Sequence, residues 1–523
     1  MQKMGEGSTM LTRRDFGLAA GGLAVLPGLA RPALAQRAGG DIVMAQQAQP
    51  PTLDAQVTTA QAARNISLHL YETLYARDEA GNPVPDLAEG VDISPDGLAY
   101  RFALREARFH NGKPMTSADV KASLLRYGRV GGSAFIMQPV DAIETPDART
   151  VVVRMKAPSP GFIAGISSPR APCAIMPEDE AGKEANKNEA IGTGPYRFVE
   201  YRPDSHVRLA RFGDYVQNRA YQGMDGFAGR KVPNVENITI RFVAEGGART
   251  AGLQAGEMHI LEAIAVPAAE RLRSDSSLKM HEMMPWSFQT LMFNMAQPPM
   301  DNPAFRRALQ AALDLEEIMA ISTDGLYRMT HGWQHPGTTH FAGDVGKELY
   351  NINNKDRAKA LLREVNYKGE EIILLGDSSF KNHNDTIVTA AEQLRGIGIN
   401  ARVNITDWPT AFSQRTQRSG WHVWALMLGI EPYEGPYGVV GFFSGHAPVQ
   451  HVRDEVIEDC QRRLATGLKE EERKQAVADF QKRMYDEAIA IKCGDVGIVQ
   501  ATRAQVRDYK PYRIPRMWGV SLG

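Results

Sequence analysis

Cysteine is almost missing, with three residues in 523. Three thiols build neither a disulfide framework nor a four-thiolate zinc site. An excess of either charge is missing too. Lys and Arg number 60, Asp and Glu 61, and the formal charge is -1. The chain therefore lacks the basic surplus by which a nucleic-acid binder holds phosphate. Neither a Gly-x-Gly-x-x-Gly turn nor a Gly-Lys-Ser/Thr loop occurs, and His-Glu-x-x-His and Gly-x-Ser-x-Gly are absent as well. These absences weigh against nucleotide binding, zinc proteolysis and serine hydrolysis. No internal repeat of solenoid period is present. What remains is ordinary globular composition, 43% hydrophobic and 23% charged. At about 150 residues per domain, the length implies two to four packing units.

The first residues read as an address rather than as fold. Thr12-Arg13-Arg14-Asp15-Phe16 precedes a Gly/Ala/Leu-rich stretch, Gly17 to Ala30, and then Arg31-Pro32-Ala33-Leu34-Ala35. Basic start, apolar middle and small-residue cut site are the three parts of an export signal. The paired arginines resemble the twin-arginine type. Gly17, Gly21, Gly22, Pro27 and Gly28 each weaken a core helix, and Leu18 to Leu29 is too short to span a bilayer. A signal peptide is expected over 1–35, with Met10 as the true start. Its removal takes away four basic and two acidic residues, leaving 488 residues of formal charge -3. No cysteine stands at the cut, so a lipid anchor is not expected. The product is expected to be soluble, monomeric and periplasmic. Export of a folded protein leaves room for a cofactor, but none is expected.

Beyond the signal, strands and helices alternate. Strands are expected at Tyr100–Leu104, Thr150–Met155, Tyr196–Val199, His206–Arg211, Asn237–Val243, Ile260–Glu262, Glu370–Leu375 and Asn400–Ile405. Helices are expected at Ala118–Tyr127 behind Thr116 or Ser117, and at Ala248–Ala255. Others are Ala304–Leu313 behind Asn302 or Asp301 with Pro303 in its first turn, Asp356–Val365, Asp385–Arg395 and the amphipathic Glu470–Ile489. Strand, helix, strand order argues for an α/β fold.

Six blocks in order carry a resemblance. They are Leu70-Tyr71-Glu72-Thr73-Leu74-Tyr75 with Gly81 to Glu89, and Ser94-Pro95-Asp96-Gly97-Leu98 running through Phe109-His110-Asn111-Gly112 to Val120. Next come Gly192-Thr193-Gly194-Pro195-Tyr196 and Leu253-Gln254-Ala255-Gly256-Glu257. The last two are Phe293-Asn294 with Arg306-Arg307-Ala308-Leu309 and Ala312-Leu313-Asp314, and Ala391-Glu392-Gln393-Leu394 with Gly396-Ile397-Gly398-Ile399. Over about 45–509 the chain resembles the extracellular solute-binding proteins of the dipeptide/oligopeptide class, family 5, the soluble receptors of ABC importers. The resemblance implies a two-lobed periplasmic-binding-protein fold hinged around a cleft. The first lobe would hold 36–284, with an extra subdomain at about 88–188, and regain 491–523. The second would hold 285–490. It implies capture of an organic solute, a short peptide among the possibilities, for delivery to the ABC permease subunits. It also makes Phe109-His110-Asn111-Gly112 a scaffold turn.

Aromatic side chains are the best candidates for a solute pocket, because flat rings cover an organic solute at modest entropy cost. Trp286 and Phe288 follow the expected first crossover. Trp408 follows Asp407 at a strand end. Trp421, Trp424 and Tyr433 lie in a further cleft segment, though Ala425–Leu428 reads equally as a core strand. Peptide receptors of this class carry an Asp here that anchors the peptide ammonium group. This chain has Gly429-Ile430-Glu431-Pro432-Tyr433-Glu434, so Glu431 or Glu434 would have to substitute. Peptide, opine, sugar-like and other organic solutes stay open. The alternative is a metal or haem receptor of the same fold, suggested by His331, His335 and His340, although Gly332, Pro336 and Gly337 place these on a loop. A hydrolase is more distant, since no nucleophile, base and orienter can be nominated. Export permits a Cys460–Cys493 disulfide without requiring one, and Cys173 is expected to be buried rather than nucleophilic.

Overall fold

The computed structural model describes residues 39–523 apart from 339, 379, 429–434, 446–448 and 468. The expected signal peptide therefore lies outside the described residues. Eleven strands form one mixed sheet: β1 (Asp41–Gln46), β2 (Tyr196–Arg202), β3 (His206–Arg211), β4 (Asn237–Phe242), β5 (Ile260–Ile264), β6 (Leu278–Phe293), β7 (Tyr327–Arg328), β8 (Ile372–Asp377), β9 (Ala401–Thr406), β10 (Val423–Leu428) and β11 (Ala490–Arg503). The order across it is β9-β8-β10-β6-β11-β5-β1-β4-β3-β2, with β7 paired to β11.

Two local centres have the same build. β1 lies between β4 and β5 and is parallel to both, Met44 facing Ile240 on one side and Ile260 on the other. β8 lies between β9 and β10 and is parallel to both, Leu375 facing Asn404 and Trp424. A strand flanked in this way is covered on both faces, so it reads as a nearly unbroken apolar run. Ile42 and Met44 enter one core while Ala45 enters another. Around β8–β10 the faces again feed separate cores. Leu291, Phe293, Val423 and Ala425 pack with the helices Pro303–Ala312 and Lys381–Arg395. Phe288, Met292, Trp424 and Leu428 pack with Glu455–Thr466 and Glu470–Asp486.

The caps named from sequence form. Asn302 accepts from the Ala304 N–H at 2.9 Å ahead of Pro303. The Asp119 carboxylate accepts the Thr116 backbone N–H at 2.8 Å and starts the helix Ser117–Val130. That helix covers a separate four-stranded antiparallel sheet, Ala88–Ile93, Ala99–Leu104, Thr150–Met155 and Val140–Asp147 in that order. The two share a core with Phe102, Leu124, Tyr127 and Val153. Arg126, on the helix's other side, is fully buried against Asp54 at 2.5 Å and also donates to Gln56. Losing one partner of such a pair typically costs about 3–5 kcal/mol, because the other charge is left buried and uncompensated.

β6 and β11 are the long elements. Their ladder runs from Leu278↔Arg503 to Met283↔Ile498, breaks, and resumes from Ser287↔Val496 to Met292↔Ala490. Met284, Pro285 and Trp286 thus stand opposite Gly497 alone, a bulge that bends the ribbon. A methyl on Gly497 would come within 2.7 Å of Leu326 Cγ and 2.8 Å of Met284 Cε, so a larger residue at this crossing would have to displace both side chains.

All three cysteines are free and buried. Cys460 and Cys493 enter cores on opposite faces of the sheet, which explains why they do not pair. Burial pushes the Cys173 thiol well above its ordinary value. Among the described residues, no helix is long and apolar enough to cross a membrane.

Buried histidines act as connectors with one donor and one acceptor. His69 Nδ1 bonds Asn65 O at 2.9 Å, and its Nε2 accepts from the Met517 N–H at 3.1 Å. This ties the helix Gln61–Leu70 to the C-terminal segment. His110 Nε2 bonds Gly194 O at 3.1 Å while its Nδ1 accepts from Gly192 N–H at 3.2 Å. Each imidazole must be neutral to accept a backbone N–H. Burial holds both pKa values down to about 4. Between pH 6.5 and 4 the unfolded chain binds protons that the folded chain refuses, so stability is full above about pH 6.5 and is lost as pH falls. For fully buried His69 this amounts to about 3 kcal/mol over the whole window. We expect His69→Gln to reduce the loss of unfolding free energy between pH 7 and pH 4.5 by about 2–3 kcal/mol in urea titrations. An unchanged pH slope would contradict the connector role.

Candidate functional site

In open α/β sheets, ligands bind beyond the carboxyl ends of parallel strands, where the strand order reverses. Here that rule marks the ends of β1 and β8. Gln46 ends β1 and is fully buried. Its Nε2 donates to Ala48 O at 2.8 Å and its Oε1 accepts from Asn65 at 3.0 Å. Glu262 on β5 accepts from the Gln47 N–H at 2.6 Å and from Asn65 at 2.7 Å. Burial raises the Glu262 pKa against those two bonds and the nearby Arg249. The end of β1 thus carries a fixed polar mesh of Gln46, Asn65, Glu262 and Arg249.

The end of β8 is aromatic. Asp377 ends β8, fully buried, and accepts from His383 Nδ1 at 2.7 Å and from Phe380 N–H at 2.9 Å. His383 Nε2 accepts from the Met427 N–H at 2.9 Å, which locks β8 to β10. At the end of β9, Asp407 caps the helix Trp408–Gln414, accepting from Thr410 N–H at 3.0 Å and Thr410 Oγ1 at 2.7 Å. The cap fixes Trp408, half-buried, at the helix start. Its ring lies 5.3 Å from Phe380, 5.5 Å from His383, 5.3 Å from Phe412 and 6.2 Å from Trp424, the last pair stacked at 29°. Trp424 is fully buried, and its Nε1 has no hydrogen-bond partner among the described residues.

The expected ligand residues separate. Trp408 and Trp424 come together at the end of β8. Trp286 lies at the β6 bulge, its ring 4.4 Å beneath the Arg513 guanidinium, which also donates to Trp286 O. Phe288 is fully buried on the core face of β6, with the Lys492 ammonium 3.8 Å above its ring and His335 4.5 Å away. Trp421 is buried too, its Nε1 donating to Gln417 O at 2.9 Å. Ala425–Leu428 is the core strand rather than a pocket segment. Glu431, Tyr433 and Glu434 lie outside the described residues. The sequence reading missed Phe380, His383, Phe412 and Arg415. The pointer to them was position, directly after parallel strands, rather than residue type.

The three-histidine loop does not converge. His331 bonds Gly343 O at 2.7 Å, His335 lies 3.2 Å from Asp495, and His340 lies 3.3 Å from Glu470. Among the described residues, no group of three His, Cys, Asp or Glu side chains is placed to hold a metal ion. His335 belongs instead to a charge cluster on β11. Asp495 meets Lys492 at 2.9 Å and Arg328 at 2.5 Å. Burial brings the Lys492 pKa down to about 8. Asp495 is held at about 2, because Lys492, His335 and Arg328 outweigh its own burial.

The two halves meet again away from β6 and β11. A methyl on Gly161, just before the short helix Phe162–Ile166, would lie 2.7 Å from Tyr437 Oη. Tyr437 belongs to the helix Pro436–Phe442 and donates to Leu464 O at 2.6 Å.

This geometry has known counterparts. The profile of the bacterial extracellular solute-binding proteins, family 5, matches residues 82–448. The probable peptide ABC transporter periplasmic-binding protein y4tO of Sinorhizobium fredii is 26% identical, over 98% of this chain and 99% of its own. The binding protein AgaA of A. tumefaciens R10, solved with agropinic acid, has a TM-score of 0.77 at 22% identity, covering 92% of this chain and 99% of AgaA. NikA of Brucella suis, solved with Fe(III)-EDTA, has a TM-score of 0.80 at 19% identity, covering 92% and 100%. These likenesses establish the two-lobed periplasmic-binding-protein fold. With a sheet that reverses order at β1 and at β8, and a family profile spanning most of its length, the chain belongs to the extracellular solute-binding proteins of family 5, the binding components of ABC importers.

Proposed function

We propose that this receptor takes up an organic solute between the polar mesh at the end of β1 and the aromatic wall at the end of β8. The halves close by bending at the β6–β11 bulge, and the closed form hands the solute to the ABC permease. Trp408 carries the reading. It is an amphipathic ring held half-exposed at a strand end by its own helix cap, with four aromatic neighbours fixing its plane. Such a surface suits the flat or apolar body of a solute, while the mesh opposite supplies the few polar groups that orient it. Closure needs only that the solute touch both walls, because those contacts exist in the closed state alone.

In this reading the moving bodies are about 36–284 with 497–523, and 285–496, since Ile491, Cys493 and Val496 pack in the core around β8, and the sheet at about 88–188 rides on the first. The protein works as a periplasmic monomer delivered by the twin-arginine machinery through Arg13 and Arg14. It uses no cofactor and performs no covalent chemistry. The solute is a small organic molecule, with short peptides one class of candidate. The metal or haem alternative draws no support from His331, His335 and His340, whose partners are separate.

Native mass spectrometry of the exported protein with its co-purified solute tests the assignment. An organic ligand at one per chain is expected, and Trp408→Ala should weaken its binding by about 10- to 100-fold, the loss of an aromatic anchor. Full affinity in Trp408→Ala would remove the aromatic wall from the site. A second variant acts on closure without lining either wall. Gly161→Val drives a side chain into Tyr437, whose hydroxyl Leu464 already holds. Ligand affinity should fall severalfold while thermal stability of the unliganded protein is unchanged, and equal affinity would contradict closure at that contact.

A further inference from the structure

Arg415 stands apart from the other buried arginines. Arg105 reaches Glu72, Arg126 reaches Asp54, and Arg306 donates to the carbonyls of Met300 and Glu487. Arg415 follows the helix Trp408–Gln414 and is half-buried. Its guanidinium lies 4.1 Å over the Phe412 ring and 5.3 Å from the Trp424 ring. Among the described residues no carboxylate or carbonyl accepts from it, and its buried Nε is unpaired. Burial lowers its pKa, and no acidic neighbour offsets that.

A second donor on the same wall is also unpaired, the buried Nε1 of Trp424. Buried donors are ordinarily satisfied, and leaving one unmade is costly. Both open groups here are donors, so whatever completes them must bring acceptors. Aromatic contacts hold the guanidinium by its face, which leaves its edge for bonding. That edge matches the two oxygens of a planar carboxylate. Tetrahedral phosphate calls for donors from several directions, and this wall offers two.

Resting on the solute-receptor reading, we propose that Arg415 is the anion anchor of the site. The transported class is then organic carboxylates whose flat or apolar body lies on Trp408 while a carboxylate meets the edge of Arg415 beside Trp424 Nε1. Phe412, 43% exposed, shields the pair from water once the cleft closes and so strengthens it.

Matched acids and neutral partners test this by isothermal titration on the mature chain. The pairs are trialanine and trialanine amide, Ala-Glu-Ala amide and Ala-Gln-Ala amide, and N-(1-carboxyethyl) amino acids and their methyl esters. Together they separate a terminal carboxylate, a side-chain carboxylate and a non-peptide acid as the source. Binding is expected for acids in at least one pair and not for the neutral partner. Arg415→Met should weaken the best acid by at least about 30-fold, Arg415→Lys should recover part of it, and Trp424→Phe should cost severalfold. Neutral partners binding as tightly as acids, or Arg415→Met keeping full affinity, would overturn the anchor and leave the receptor reading intact. Failure of every probe to bind, together with no co-purified organic solute, would overturn both. If Arg415→Met does not fold, the acid and neutral series on the wild type decides alone.

Discussion

The structure depends on the antiparallel pairing of β6 with β11. These strands run at the middle of the one sheet, between the part centred on β1 and the part centred on β8, so one ladder is shared by both halves. Main-chain hydrogen bonds along it are stiff against shear and twist. A bend is tolerated where the ladder is interrupted, between Gln289 and Thr290 and most widely between Met283 and Ser287. There Gly497 admits the close approach of Leu326 and Met284, and Arg513 closes over Trp286. The crossing is therefore narrow and flanked by paired ladder on either side.

Rigidity on both sides of the crossing comes from polar groups that are buried and satisfied. His69 and His110 each join two segments distant in sequence through one donated and one accepted bond. His383 does the same between β8 and β10 at the rim of the site. In the first half Lys231 sits between Glu72 and Asp86, 3.0 Å from each. Low dielectric makes such networks specific, because a half-satisfied alternative packing would strand a donor or a charge. Trp424 Nε1 and Arg415 Nε are among the buried donors left unsatisfied, and they lie where a solute is expected.

Much of the fold was legible in the sequence because local chemistry decides it. Thr116 with Asp119, Asn302 with Pro303, and the strand Asn237–Phe242 carry their signals within a few residues. The helix Lys381–Arg395 begins four residues before its expected start, because Phe380 and Asp377 supply the entry rather than a polar cap. β6 and β11 carry Lys279, His281, Glu282, Lys492 and Asp495 within their spans, so no alternation announces them. Only pairing in the folded chain makes them strands. The site was legible in part. Trp408 follows a recognisable strand and cap, whereas Phe288 and Trp424 belong to strands whose buried face no single sequence specifies. Histidine spacing on a loop likewise said nothing about convergence, and the fold sends the three to different partners.

The central claim is that two rigid halves close on a solute by bending at the β6–β11 bulge. Small-angle X-ray scattering of the exported protein, stripped of its co-purified solute and then saturated with it, tests this most directly. The account expects the radius of gyration to fall on saturation, with the same solute leaving Gly161→Val less compact than the wild type. A radius that does not change at full occupancy would contradict it.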